Sequence, residues 1–334
     1  MGRYPLKTAI GEYMNATKDC YSPMTISNRQ AVLGRIDREY AKLRETSPSL
    51  SADPARWRED EIVAILVSIR ERGLSHASQL AELRVLKGLL RFLGNPIMDT
   101  MKARMPHVFP KAVYQRGQSL TENQLAAVLK SAENLKGWKG EYAKFLFASY
   151  AYTGLRLNEL VMAERQDLDE KNWTICVSHP KGERTYGQRR VVPIPEPLRS
   201  IVVRFLKARE LVLAEQGLVE TGPLVFPERK PTKHMSRYTV QKWNRELREK
   251  SGIKFTIHGL RRTYGQTLLN RGVSIDAVSL ALGHASTVTT ERHYCRKDAD
   301  LARLEINRAF ERSVSGPSVN SPKIERRDEL PGYA

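Results

Sequence analysis

Residues 152–160 read Tyr-Thr-Gly-Leu-Arg-Leu-Asn-Glu-Leu. Gly154 can adopt backbone angles that side-chain-bearing residues avoid, so the chain is free to turn sharply there and enter a new helix. That turn presents Arg156 near a helix N-terminus, where unpaired N–H groups and the helix dipole favour an anion. A guanidinium so placed is a reasonable phosphate clamp. Further on, residues 258–261 read His-Gly-Leu-Arg. This i, i+3 spacing sets the His258 imidazole and the Arg261 guanidinium side by side on one helix face, within reach of one phosphate. Leu260, Tyr264 and Leu268 follow at four-residue steps on another side of that helix, so Tyr264 reads as a core aromatic. A third cluster is Leu-Gly-His at 282–284, followed ten residues later by Tyr294. It supplies a second imidazole and a phenol, groups suited to proton transfer and nucleophilic attack.

Outward from these clusters the apolar pattern is mostly helical. Residues 139–163, 197–216, 236–251, 258–271, 274–282 and 289–310 read as helices, with breaks at Gly252, Gly272 and Gly283. Thr121 with Gln124 three residues on forms a capping box that opens a helix. Residues 173–178 and 189–194 alternate as two short strands and pair as an expected hairpin. Towards the N-terminus, Val32, Ile36, Tyr40 and Leu43, then Ile62, Ile65, Leu66 and Ile69, then Leu80, Leu83, Leu86 and Leu90 recur at helical spacing. The expected organisation is a helical domain over 1–105, a basic linker over 106–118, a second and mainly helical domain over 119–312, and a disordered tail over 313–334 poor in large apolar side chains.

The 334 residues exceed what one compact core usually organises, in line with two domains. The 55 Lys and Arg against 37 Asp and Glu give a formal charge of +18, which attracts a polyanion, nucleic acid first. No amphipathic anchor or long apolar span points to a membrane. Cys20, Cys176 and Cys295 are odd in number, far apart and without a CxxC pair, which implies reduced thiols and an intracellular setting. The motifs of phosphate-cradling loops, zinc proteases and serine esterases do not occur.

Taken together, YTGLRLNEL, HGLRRTY, LALGH and TTERHY stand in the order and spacing of the tyrosine recombinases of the phage integrase family. The resemblance spans about residues 119–310. Each string alone is common; four in register are specific. The resemblance implies a helical catalytic domain carrying a small β-sheet, preceded by a helical core DNA-binding domain, the two closing round DNA as a C-shaped clamp. It implies that Arg156 and Arg261 hold the scissile phosphate, that His258 and His284 hydrogen-bond it, and that Tyr294 attacks phosphorus to leave a 3′-phosphotyrosine. The family's general acid is a lysine on a β-hairpin turn, a place that Lys181 occupies, with Lys171 as the alternative nearer the first strand. The interval from His284 to Tyr294 is one residue longer than the commoner family spacing, which puts His293 at the shorter position.

No cofactor and no metal are implied. The implied partners are double-stranded DNA bearing specific recombination sites, a homo-tetramer exchanging strands through a Holliday junction, and accessory DNA-bending or directionality proteins. The implied setting is the cytoplasm of a prokaryote, acting on its virus, plasmid or mobile element. Residues 298–310 are expected to dock on a neighbouring subunit, and the 118 residues before the catalytic domain leave room for one core-binding domain. Type IB topoisomerases share this chemistry, but the motifs favour the recombinase branch. A regulator that had lost catalysis would not fill every catalytic position, and a basic RNA-binding scaffold would leave the ordered series unexplained. Arg237, Lys242, Arg245 and Arg248 on one helix, and Arg29, Arg35 and Arg38 in the first domain, are secondary candidates for phosphate contact. His76, His107, His179 and His234 match no motif position and read as ordinary surface or core residues.

Overall fold

Serine and threonine caps start many of the helices, and buried apolar stripes hold them. The structure, a computed structural model, describes residues 5–111, 117–183, 187–284 and 286–294. The chain divides into two units, Met1–Gln115 and Arg116–Ala334.

In the first unit the helices are α1 (Leu6–Thr17), α2 (Pro23–Thr46), α3 (Glu59–Glu71), α4 (His76–Phe92) and α5 (Ile97–Arg104). The Ser22 side chain caps α2 and the Ser75 side chain caps α4, while Glu59, Asp60 and Glu61 place negative charge in the first turn of α3. Leu33, Ile36, Tyr40, Ile62, Leu66, Leu86 and Leu90 are buried, as their helical spacing requires. Helix α1 lies ahead of the periodic stretch read from the sequence. It joins the core through Leu6, Ala9 and Tyr13, a stripe too short to stand out in the sequence. The expected linker also begins later than residue 106. Pro106–Val108 forms one 3₁₀ turn and Phe109 is buried in the first core, because an aromatic ring gains more from burial than from spanning solvent. Of the arginines proposed for DNA contact here, Arg29 lies over the Tyr21 ring, Arg35 pairs with buried Glu82 at 2.9 Å, and Arg38 is exposed.

The second unit is built on α7 (Trp138–Thr153), whose residues from Tyr142 to Ala151 are mostly buried. Helices α6 (Glu122–Glu133), α9 (Glu196–Glu215) and α11 (Ile257–Asn270) pack on it, and Phe145 stacks on Phe205 with ring centroids 3.9 Å apart. The capping box on α6 is formed: Gln124 N–H donates to Thr121 Oγ1 at 3.2 Å, and Thr121 N–H donates to Gln124 Oε1 at 3.0 Å. A short α8 (Leu157–Val161) follows α7; α10 (Arg237–Ser251), α12 (Ile275–Leu282) and α13 (Thr287–Tyr294) complete the described helices.

Among the described residues the sheet has three antiparallel strands in the order β1 (Leu168–Asp169), β2 (Thr174–Val177) and β3 (Arg190–Pro193). β2 and β3 pair as the hairpin read from alternation, with Ile175 opposite Val192 and Val177 opposite Arg190. β1 adds a third strand, too short for any alternation to announce it. The architecture is therefore mainly helical with a small β-sheet. Among the described residues no helix is long and apolar enough to cross a membrane. The remainder of the expected 289–310 helix beyond Tyr294, the 298–310 docking segment and the 313–334 tail lie outside the described residues.

Candidate active site

The turn at Gly154 sets the first arginine. Gly154 closes α7 at φ +65°, and a Cβ there would stand 2.4 Å from Tyr264 Cδ1 and 3.0 Å from Leu282 Cδ2. Both the backbone angle and the space require glycine. Two residues on, Arg156 is extended and forms the N-cap of α8. Its Nη1 donates to Glu159 Oε1 at 2.6 Å, its backbone N–H donates to Glu159 Oε2 at 2.9 Å, and its Nη2 donates to the Gly283 carbonyl at 3.0 Å. The Glu159 side chain is 1 % exposed and also receives Arg190, whose Nη2 and Nη1 donate at 2.8 and 3.2 Å. Burial alone would push this carboxyl up. The hydrogen bond and charge of Arg190, followed by the N–H and charge of Arg156, outweigh it and bring the pKa down to about 2.

Helix α11 contributes the second pair. Thr256 caps it, accepting the Gly259 N–H at 2.9 Å. One turn separates exposed His258 from Arg261, which is 1 % exposed. The Arg261 guanidinium donates to the carbonyls of Gly154 and Leu282, which ties the α7 turn to the end of α12. Gly283, at φ +62°, ends α12 in the left-handed conformation, and the His284 N–H returns to the Ser279 carbonyl at 3.0 Å. That cap holds His284 beside Arg261, with Nε2 3.2 Å from Arg261 Nη2. The other ring nitrogen, Nδ1, is 2.8 Å from Oγ1 of buried Thr290 on α13. Tyr294 closes α13 one turn later; its side chain, like that of His293, lies outside the described residues.

Arg156, Lys181, His258 and Arg261 line one cavity of about 780 Å³. Lys181 reaches it from the connection between β2 and β3, where Gly182 takes φ +80° and the Gly187 N–H donates to the Gly182 carbonyl at 2.8 Å. Lys171 sits in the β1–β2 turn, its N–H bound by Asp169, and does not line this cavity. Helix α10 also lines this cavity. Arg237, Gln241 and Asn244, at helical spacing, face the cavity, and Arg237 Nε and Asn244 Oδ1 are buried without a hydrogen-bond partner among the described residues. Exposed Lys242 and Arg245 and half-buried Arg248 do not line it.

Gln241 and Asn244 escaped the sequence reading, as did four further residues. Glu159 had a signal, since a carboxylate three residues after Arg156 is spaced for both a capping box and an ion pair. Arg190 had none, because a charge in a short strand reads as solvent-facing. His179 matches no motif position, yet it lines the cavity beside Lys181, with Nδ1 3.4 Å from Glu183 Oε2. Thr290 carries no motif of its own. Tyr264, by contrast, is 8 % exposed against Val278 and Leu282, and burial pushes its phenol pKa up despite the charges of Arg190 and Arg261.

Residues 118–300, more than half of the chain, match the model of the phage integrase family. The chain belongs to the phage integrase family. This family is that of the tyrosine recombinases, and the enzyme class follows from membership. The integrase-family chain is 28 % identical over 254 residues to tyrosine recombinase XerA of Pyrococcus furiosus, covering 75 % of this chain and 80 % of that protein. It is 27 % identical over 227 residues to tyrosine recombinase XerD of Vibrio cholerae, covering 67 % and 72 %. In structure it resembles the Tn1549 transposon integrase in complex with circular intermediate DNA, at TM-score 0.66 and 20 % identity over 90 % of this chain and 99 % of that one. It also resembles a lambda integrase tetramer bound to a Holliday junction, at TM-score 0.59 and 17 % identity over 86 % and 77 %. At these identities the two structures establish the integrase fold.

Proposed function

We propose that this chain is a site-specific DNA recombinase that cuts and rejoins strands through a 3′-phosphotyrosine on Tyr294. The observation that carries the proposal is the gathering of Arg156, Lys181, His258 and Arg261, residues drawn from three segments far apart in sequence, around one cavity. Arg156 and Arg261 bind the non-bridging oxygens of the scissile phosphate and stabilise the charge of the pentacoordinate transition state. Tyr294 Oη forms the new bond to phosphorus, its proton passing to the His258 side of the site, and the bond from phosphorus to O5′ breaks. Lys181 delivers a proton to that leaving oxygen. His284 adds a further hydrogen bond to the phosphate. The phosphoester linkage is conserved, so a 5′-hydroxyl attacking the phosphotyrosine restores DNA without an external energy source.

The substrate in this account is duplex DNA bearing specific sites, bound by residues 1–105 and 119–312 as core-binding and catalytic domains. The net charge of +18 supplies long-range attraction. Arg237, Gln241 and Asn244 take the nucleotides that flank the scissile phosphate, since they wall the same cavity and two of their polar atoms lack partners among the described residues. Strand exchange proceeds pairwise in a tetramer through a Holliday junction, assisted by accessory DNA-bending proteins, in the cytoplasm of a prokaryote. No cofactor or metal enters these steps.

The test is a nicked suicide duplex, in which cleavage releases a short fragment and traps the covalent adduct. Wild-type protein accumulates the adduct and Tyr294→Phe does not; equal adducts from both proteins refute the proposal.

A further inference from the structure

Arg190 has no place in the steps above, yet it occupies the centre of the site's electrostatics. Its side chain is 11 % exposed and its guanidinium faces the carboxylate of Glu159 in a bidentate pair. Each Glu159 oxygen is thereby shared: Oε1 between the side chains of Arg156 and Arg190, Oε2 between the Arg156 backbone N–H and Arg190. The remaining Arg190 nitrogen, Nε, donates to the Ala281 carbonyl at 3.2 Å. A Cβ on Gly283 would stand 2.8 Å from Arg190 Nη1, so the loop leading to His284 lies directly against this guanidinium. Arg190 also stands on β3 opposite Val177, at the base of the connection that carries Lys181.

The charge count gives these contacts a consequence. A lone pair of Arg156 and Glu159 is neutral and offers a phosphate a dipole. With Arg190 added, two guanidiniums and one carboxylate leave one net positive charge, and the exposed member is Arg156, at 27 % against 11 % for Arg190 and 1 % for Glu159. Beside a carboxylate only 1 % exposed, where solvent screens charge weakly, a net charge binds an anion better than a neutral pair does.

We propose that Arg190 is a positioning and charge-balancing residue that neutralises Glu159 so that Arg156 presents an uncompensated positive charge to the scissile phosphate. This inference rests on the reading of Arg156 as a phosphate ligand. Glu159 orients Arg156, and Arg190 cancels the electrostatic penalty of using a carboxylate to do so. The same residue joins β3, α8 and the end of α12, so the lysine hairpin, the first arginine and the His284 loop are held to one another.

A charge-rescue series tests it on the full chain with the nicked suicide duplex. Wild-type adduct formation that depends on Tyr294 first establishes the underlying reading, and failure at that step sinks the reading itself. Arg190→Met is expected to cut at a rate lowered about 100-fold. The double variant Glu159→Gln with Arg190→Met restores the single net charge and is expected to regain about tenfold over Arg190→Met, while Arg190→Lys stays within about tenfold of wild type. Duplex binding measured in the Tyr294→Phe background gives a readout without catalysis. The slope of log affinity against log salt is expected to fall by about 0.9 in Arg190→Met and to recover in the double variant. Thermal melting of each variant reports folding. A folded double variant no faster than Arg190→Met, or a folded Arg190→Met that cuts at the wild-type rate, overturns the proposal.

Discussion

Arg261 Nη2 lies 3.2 Å from His284 Nε2. A guanidinium nitrogen can only donate, so Nε2 is the acceptor and the ring proton of neutral His284 sits on Nδ1. There it faces Thr290 Oγ1 at 2.8 Å. The arginine and the threonine thus fix both the orientation and the tautomer of the imidazole, and Thr290 does so from the helix that ends in Tyr294.

Removing the hydroxyl of Thr290 should release that ring and loosen the contact between α13 and the active-site loop. Thr290→Val is expected to slow adduct formation about fivefold, in line with one buried hydrogen bond of roughly 1 kcal/mol, while Thr290→Ser stays near wild type. Single-turnover cleavage rates check this. Equal rates for Thr290→Val and wild type would remove the threonine from the account.

Gly154→Ala combines a left-handed backbone with a collision, since its Cβ would meet Tyr264 at 2.4 Å and Leu282 at 3.0 Å. The expected loss is about 2–4 kcal/mol of stability. Gly252→Ala, at φ +69° with open space around it, is expected to cost only about 1 kcal/mol. Denaturant titrations of the two variants separate strain from packing.

Acid should weaken the site through Glu159. Its pKa falls from the ordinary 4.5 to about 2 in the folded chain, where burial is outweighed by Arg190 and Arg156. A depressed carboxyl contributes stability above its unfolded value and loses that contribution as pH falls through its folded value. About 3 kcal/mol is therefore present at neutral pH and disappears between about pH 4.5 and pH 2. Denaturation of wild type and Glu159→Gln across that window should show two curves that differ at pH 6 and converge towards pH 2. A constant offset would contradict the assignment.

Lys181 is expected to matter only when the leaving group needs a proton. With a 5′-bridging sulfur in place of O5′, the departing thiol has a pKa of about 8.5 and leaves as the thiolate. Lys181→Ala should therefore cut the ordinary duplex about 100-fold more slowly than wild type and the sulfur-substituted duplex at nearly the same rate. If the defect persists on the sulfur substrate, Lys181 is not the acid.

The fold was legible where periodicity was long. The helices of the second unit, the capping box at Thr121 and the hairpin follow from spacing and capping alone. Two-residue β1 and the short stripe of α1 fell below the length at which a period can be read. In the site, Arg156, His258, Arg261 and His284 were legible because their chemistry is written in local strings. Glu159 and Arg190 were not, because their importance comes from a pairing between α8 and β3 that spans 31 positions. Thr290 reached the site through the way α13 packs on α11 and α12, which local spacing does not encode. Gln241 and Asn244 are uncharged and stand among the basic residues of α10, and of Arg237, Lys242, Arg245 and Arg248 only Arg237 shares their cavity-facing side.

The trapped adduct from a suicide duplex, digested with nuclease and protease and sequenced by mass spectrometry, identifies the residue that carries the nucleotide. Attack by Tyr294 Oη predicts a single modified peptide with the phosphate on Tyr294 and an unmodified Tyr264. A nucleotide on Tyr264, on any histidine, or on no residue of a chain that still recombines DNA would contradict it.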